Sequence, residues 1–144
     1  MMTASAPDGT VYDLNGPENA PYVVLVHGLG LNRQCWQWIK PALCDRYRVL
    51  SYDLYGHGDS PAPRDIPSLS LFSRQLTGLL DNCGAGSAAI VGFSLGGMIA
   101  RRAAQDAPGR VAALAILHSP HERTEVAQAA IVKRVEQARQ DGAG

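Results

Sequence analysis

What this sequence has little of excludes several classes of protein. Aromatic residues fill 6% of its 144 positions and charged residues 18%, with thirteen acidic side chains against thirteen lysines and arginines. No block of one sign and no basic cluster interleaved with aromatics occurs, so nucleic acid and anionic membrane surfaces find no field to bind. Long apolar runs are missing as well. The longest, such as Val111 to Leu117, are far too short to span a bilayer. The N-terminus, Met1 to Gly9, has neither a basic residue nor an apolar stretch and does not read as a secretory signal. Cysteine is scarce: Cys35, Cys44 and Cys83 are an odd number without metal-ligand spacing. They are expected to be free thiols serving as buried small apolar residues in a reducing compartment, most simply the cytoplasm. A Cys35–Cys44 pair is the alternative.

What is present is an ordinary globular composition, 46% hydrophobic, of a length suited to one domain. Short apolar runs alternate with helical patterns. Tyr22–Val26, Tyr47–Tyr52, Ala88–Val91 and Val111–Leu117 are apolar on both faces, as strands of a parallel sheet covered on both sides would be. A further strand or hairpin around Thr10 to Leu14 is weakly signalled. Between the runs, the spacing predicts helices over Arg33–Leu43 (Trp36, Ile39 and Leu43 on one face), Leu71–Leu80 and Leu95–Ala107, the last stopped by Pro108-Gly109. The order argues for βαβ units with right-handed crossovers. The tail from Glu125 to Gln140 carries Ala127, Ile131, Val135 and Ala138 on one stripe. It is capped either at Ser119-Pro120-His121-Glu122 or at Thr124. Asp141 to Gly144 is loop-like.

Three turns at strand ends carry chemistry. Gly92-Phe93-Ser94-Leu95-Gly96-Gly97 puts a serine between a strand and a helix. A glycine-x-serine-x-glycine match alone is a weak signal in a chain with 15 glycines. At this junction it is strong, because a nucleophile elbow needs a strained turn without neighbouring side chains. Ser94 Oγ then stands over a helix N-terminus, where the Leu95 N–H and the helix dipole favour an oxyanion. His27-Gly28-Leu29-Gly30 follows the first strong strand and can supply the Leu29 N–H as second donor. Asp53-Leu54-Tyr55-Gly56-His57-Gly58-Asp59-Ser60 follows the second.

These turns resemble the N-terminal half of an α/β-hydrolase, over nearly the whole chain. The stretch Gly92–Ala100 is similar to that of esterases, haloperoxidase-like enzymes and 3-oxoadipate enol-lactonases. The resemblance implies a mostly parallel sheet with helices on both faces. Residues 1–121 would be the N-terminal part of the core and residues 122–144 the start of a helical cap or lid. It implies a serine hydrolase of small ester or lactone substrates, with Ser94, Leu29 and Leu95 as the catalytic groups. No metal or organic cofactor is implied. C–C bond hydrolysis and cofactor-free perhydrolysis would use the same machinery, and a non-catalytic hydrolase-like fragment or interaction subunit is the rival of another class.

Other residues have two readings each. His27 either acts as a base or buttresses the oxyanion turn, the latter being the family pattern. His57 and Asp59 are expected to hold their loop's backbone. His118, at the end of Val111–Leu117, is expected beside Ser94 as a substrate-contacting residue together with Gly28; a minimal dyad of Ser94 with His118 or His121 is the alternative. Glu122 and Glu125 are either a triad acid or a cap and a solvated helix face. In the superfamily order of serine, then acid, then histidine, both partners follow later strands. A complementary C-terminal chain, separate or cleaved after Gly144, is therefore expected to supply them. Without such a partner, Val111–Leu117 would be an uncovered apolar edge.

Overall fold

A computed structural model of the chain describes residues 2–141. Four of the apolar runs form parallel strands: β3 (Tyr22–Val26), β4 (Arg48–Tyr52), β5 (Ala88–Phe93) and β6 (Val111–Leu117). The weak N-terminal signal is an antiparallel hairpin of β1 (Met2–Ser5) and β2 (Val11–Asn15), whose β2 in turn pairs antiparallel with β4. β1 had no sequence signal of its own. The sheet order is β1-β2-β4-β3-β5-β6.

Alternation in the central strands explains why they are apolar throughout. Val24, Val26, Leu50, Tyr52 and Ile90 point to the face covered by α2 (Leu69–Asn82) and α3 (Leu95–Asp106), forming the larger core. Val23, Leu25 and Val49 point the other way, against Trp36 and the partly buried Leu43 and Cys44. Ser68 caps α2, its hydroxyl accepting the Leu71 N–H at 3.1 Å.

The helix expected over Arg33–Leu43 is two pieces: a 3-10 turn at Arg33–Trp36 and a short α1 at Lys40–Cys44. Pro41 is the reason. Inside a continuous helix it would lack an N–H and its ring would meet the carbonyl four residues back, so the helix restarts with Pro41 in its first turn. Ile39, expected on the buried face, is exposed in consequence. Cys35 is exposed too, whereas Cys44 and Cys83 are half-buried; all three thiols are free.

The break turns Arg33 and Lys40 inward. The Arg33 guanidinium donates to Asp13 at 3.2 Å, to Asp59 at 2.9 Å and to Asp53, and Lys40 Nζ reaches Asp13 at 3.0 Å. Burial works to raise the Asp13 carboxyl pKa, but hydrogen bonds from Thr3, Lys40 and Arg33 outweigh it and hold the group below the usual carboxylate range. This cluster ties β2, the loop after β3 and the loop after β4 into one unit.

Among the described residues β6 is an edge strand paired with β5 alone, as β1 at the opposite edge is paired with β2 alone. Its edge away from β5 is bare, and Leu114 and Leu117 are 42% and 43% exposed. After it, α4 (Glu125–Asp141) begins at Thr124, whose hydroxyl accepts the Ala127 N–H at 3.2 Å; the alternative start at Ser119-Pro120 is not used. Of the residues read as a terminal loop, Asp141 closes α4, and Gly142 to Gly144 lie outside the described residues.

Removing one member of the buried cluster should cost far more than removing a surface ion. Arg33→Met is expected to lower the unfolding free energy by about 3–5 kcal/mol, because it leaves the buried Asp53 carboxylate without a cation, while Asp13 keeps Lys40. Arg102→Ala, which breaks the exposed Arg102–Asp106 pair, should cost under about 1 kcal/mol. Urea unfolding of the two variants checks this.

Candidate active site

The junction of β5 and α3 leaves no space for side chains. A Cβ on Gly92 would overlap the Gly96 backbone, and one on Gly96 would overlap the carbonyl oxygens of Val26 and His27, the latter at 2.7 Å. With helix and strands in such close contact the chain reverses at a single residue. Ser94 takes that position at φ 52° and ψ −116°, a conformation costing about 1–3 kcal/mol for a residue with a side chain. The strain is held on both sides. Ser94 N–H donates to the Leu117 carbonyl at the end of β6 at 2.9 Å, and the Ser94 carbonyl accepts from Gly97 N–H at 2.9 Å.

The turn after β3 is fixed by His27, which is completely buried. Its Nδ1 donates to the Gly28 carbonyl at 2.7 Å and its Nε2 accepts the Leu54 N–H at 3.0 Å. Both ring nitrogens are thus occupied in the neutral form. Burial pushes the His27 pKa below the ordinary imidazole value, helped by the nearby His57 ring. A ring so engaged is a buttress and has no nitrogen left to serve as a base. Its effect passes through one peptide unit. All peptides among the described residues are trans, so drawing the Gly28 carbonyl toward His27 turns the Leu29 N–H to the opposite side. Gly28 itself abuts Ser94, since a Cβ there would lie 3.3 Å from Ser94 Cβ.

Leu29, Ser94 and Leu95 meet at a cavity of about 420 Å³, which Met98, Arg123 and Arg134 also line. Neither the Leu29 nor the Leu95 N–H donates to another group among the described residues. His118 is exposed at φ 48°, directly after Leu117, with its ring centroid 6.4 Å from that of Phe93. It is not among the residues lining the cavity, nor is Gly28. His57 Nδ1 faces the Tyr55 carbonyl at 3.1 Å, within its own loop. Asp59 departs from expectation in part: its N–H binds Asp53 at 2.9 Å, but its carboxylate turns to Arg33.

Two groups were not singled out from sequence. Asp53 organises the loops, accepting the Arg33 N–H at 2.7 Å and the Asp59 N–H. The signal was an acid directly at a strand end. Arg123 and Arg134 border the cavity, and the sign for Arg134 was its place three residues after Ile131, beside Val135, on the apolar stripe of the last helix.

Ser94 is thus a strained serine at a strand–helix elbow, beside a turn whose Leu29 N–H has no partner among the described residues. The profile of the alpha/beta hydrolase fold family matches residues 21–141, and the chain belongs to that family. It is 43% identical over 97 residues to the pimeloyl-[acyl-carrier protein] methyl ester esterase of Methylococcus capsulatus, covering 67% of this chain and 36% of that protein. It is 37% identical over 87 residues to 3-oxoadipate enol-lactonase 1 of Acinetobacter baylyi, covering 60% and 32%. A crystal structure of a hydrolase from Pseudomonas aeruginosa superimposes with TM-score 0.83 at 29% identity, covering 96% of this chain and 52% of that one. The chain thus spans about a third of the length of these two curated relatives. Among the described residues no helix is long and apolar enough to cross a membrane.

The His27 arrangement predicts a pH dependence of stability. Its folded pKa lies below the unfolded value of 6.5, so the unfolded chain binds more protons as pH falls. The stabilisation is fully present above about pH 6.5 and is lost as pH drops through the folded value. The urea midpoint should therefore fall between pH 7 and 5, and fall less in His27→Gln.

Proposed function

We propose that the chain carries the nucleophile and oxyanion hole of a serine hydrolase acting on small esters or lactones. The observation that carries this is the conformation of Ser94, fixed by backbone packing in a cavity shared with two unpaired N–H groups. Ser94 Oγ adds to the substrate carbonyl carbon as its proton passes to a base. The Leu29 and Leu95 N–H groups hold the resulting oxyanion, with the positive end of α3 behind them. Collapse expels the alcohol, which takes the proton from the base. Water then repeats the sequence on the acyl-enzyme and returns the serine. Gly28 and His118 flank the substrate at the mouth of the site, and residues 122–144 begin a cap above it.

The base and its carboxylate are proposed to come from a complementary C-terminal hydrolase segment on a separate or cleaved chain. Two features support this. Both nitrogens of His27 are occupied, and no hydrogen bond among the described residues joins any histidine to Ser94 Oγ. The bare edge of β6, with Leu114 and Leu117 exposed, offers a strand-pairing surface where such a segment can dock. The names of the two curated relatives, a methyl ester esterase and an enol-lactonase, agree with the ester or lactone class.

A fluorophosphonate probe tests the reading, since it reacts only with an activated serine. In the native assembly it should label Ser94, and Ser94→Ala should abolish labelling. An unlabelled native protein would mark a non-catalytic hydrolase-like subunit instead.

A further inference from the structure

The cavity beside Ser94 has an uneven lining. Leu29, Leu95, Met98, Ile131 and Val135 give it an apolar surface, and Arg123 and Arg134 also line it. No aspartate or glutamate lines it. Arg33, Arg102 and Arg110 pair with carboxylates elsewhere, but neither Arg123 nor Arg134 does so among the described residues. Glu125 and Glu136 lie along a neighbouring groove that Arg123 also borders, without forming an ion pair with it.

The placement of these arginines follows from the last helix. Ile131, Arg134 and Val135 are spaced three and four apart and share one face of α4, the face that meets the cavity. Arg123 precedes α4 and reaches back over the first turn of α3, its Nη2 lying 3.9 Å from Met98 Sδ. Arg101 of α3 steadies this approach by donating to Ser119 Oγ at 3.4 Å and to the Pro120 carbonyl.

We propose that Arg123 and Arg134 form an anion-binding subsite that selects esters or lactones bearing a second, negatively charged group at the end of a short apolar spacer. This rests on the hydrolase reading of Ser94 and adds the substrate class to it. A guanidinium presents paired N–H donors matching the oxygens of a carboxylate or phosphate. Two of them at one cavity leave a net positive charge that an anionic substrate neutralises and a neutral ester cannot. The apolar residues that share the cavity with the arginines and Ser94 suit a methylene spacer. The volume, about 420 Å³, suits a small molecule. Two like charges also raise the encounter rate of an anion in a way that salt suppresses.

Binding to the Ser94→Ala form of the native assembly separates this subsite from catalysis. Monomethyl glutarate and methyl pentanoate are suitable probes, differing only by a carboxylate in place of a terminal methyl. Titration calorimetry should show monomethyl glutarate bound about ten- to a hundredfold more tightly, the worth of charge-assisted hydrogen bonds. Arg123→Gln and Arg134→Gln should each cut that ratio several-fold, and the double variant should bring it close to one. Raising the salt concentration should narrow it in the parent and leave the double variant unchanged. Both arginines are on the surface, and a circular-dichroism melt confirms that the variants remain folded. Competition by inorganic phosphate and by acetate distinguishes a phosphate from a carboxylate as the preferred anion, and either preference supports the subsite. Equal binding of the two esters, or a ratio that survives the double variant, overturns it. Absence of fluorophosphonate labelling would instead overturn the hydrolase reading and leave these ratios untouched.

Discussion

Backbone lies directly on backbone where α3 crosses the ends of β3 and β5, and the conformation of Ser94 follows from that contact. Gly96 sits under the Val26 and His27 carbonyls, and Gly92 against the Gly96 carbonyl. Any side chain at either glycine would lift the helix from the sheet. With the helix down, one residue must reverse the chain, and Ser94 accepts φ 52°. The strain of about 1–3 kcal/mol is comparable to the gain from burying a single large aliphatic side chain, about 1.5–3 kcal/mol. α3 buries Ile99 completely, along with Ala100 and Ala103. Packing therefore wins, and the strained serine is the cheapest way to satisfy it.

The second half of the site is held by polar groups. His27 fixes the Gly28–Leu29 peptide from beneath, while Arg33 anchors the far end of the same loop. Arg33 binds Asp53 twice, through its backbone N–H and through its guanidinium. An apolar cluster of the same volume could match the ion cluster in stability, since desolvation cancels much of the attraction between buried charges. It could not match its directionality. Hydrogen bonds from one guanidinium to Asp13, Asp53 and Asp59 fix the relative positions of one strand and two loops. The Leu29 N–H can present a donor only while that loop keeps its shape.

Features written into local sequence were legible, and those assembled from distant residues were not. The limits of β3 and β6 followed from apolar runs that stop at His27 and His118, and the start of α3 from Ser94. The elbow was legible because its constraint is local, falling on six consecutive residues. The ion cluster was hidden because Asp13, Arg33, Lys40, Asp53 and Asp59 are drawn from four separate segments. Pro41 held the clue, since it forbids the continuous helix that would have carried Arg33 and Lys40 elsewhere. Cys35 and Ile39 were misplaced for the same reason. Arg134 was overlooked because a stripe was read from its apolar members alone, although a helix face also carries the charges beside them.

Ser94 stands where a covered part of the sheet gives way to an open one. On β5, Ala88 and Ile90 are buried beneath the helices, whereas Ala89, Val91 and Phe93 are half-buried on the opposite face. Beyond them β6 has one neighbour and an exposed Leu117, yet its last carbonyl accepts the Ser94 N–H. The orientation of Ser94 thus depends on a strand whose outer edge is open. His118, at φ 48°, then turns the chain from that edge toward α4, so the segment holding the elbow from one side also brings Arg123 and Arg134 to the cavity. A group docking along β6 would therefore act on Ser94 through the Leu117 carbonyl and on α4 through His118. The geometry of Ser94 and access to the cavity would change together, because both pass through two adjacent residues.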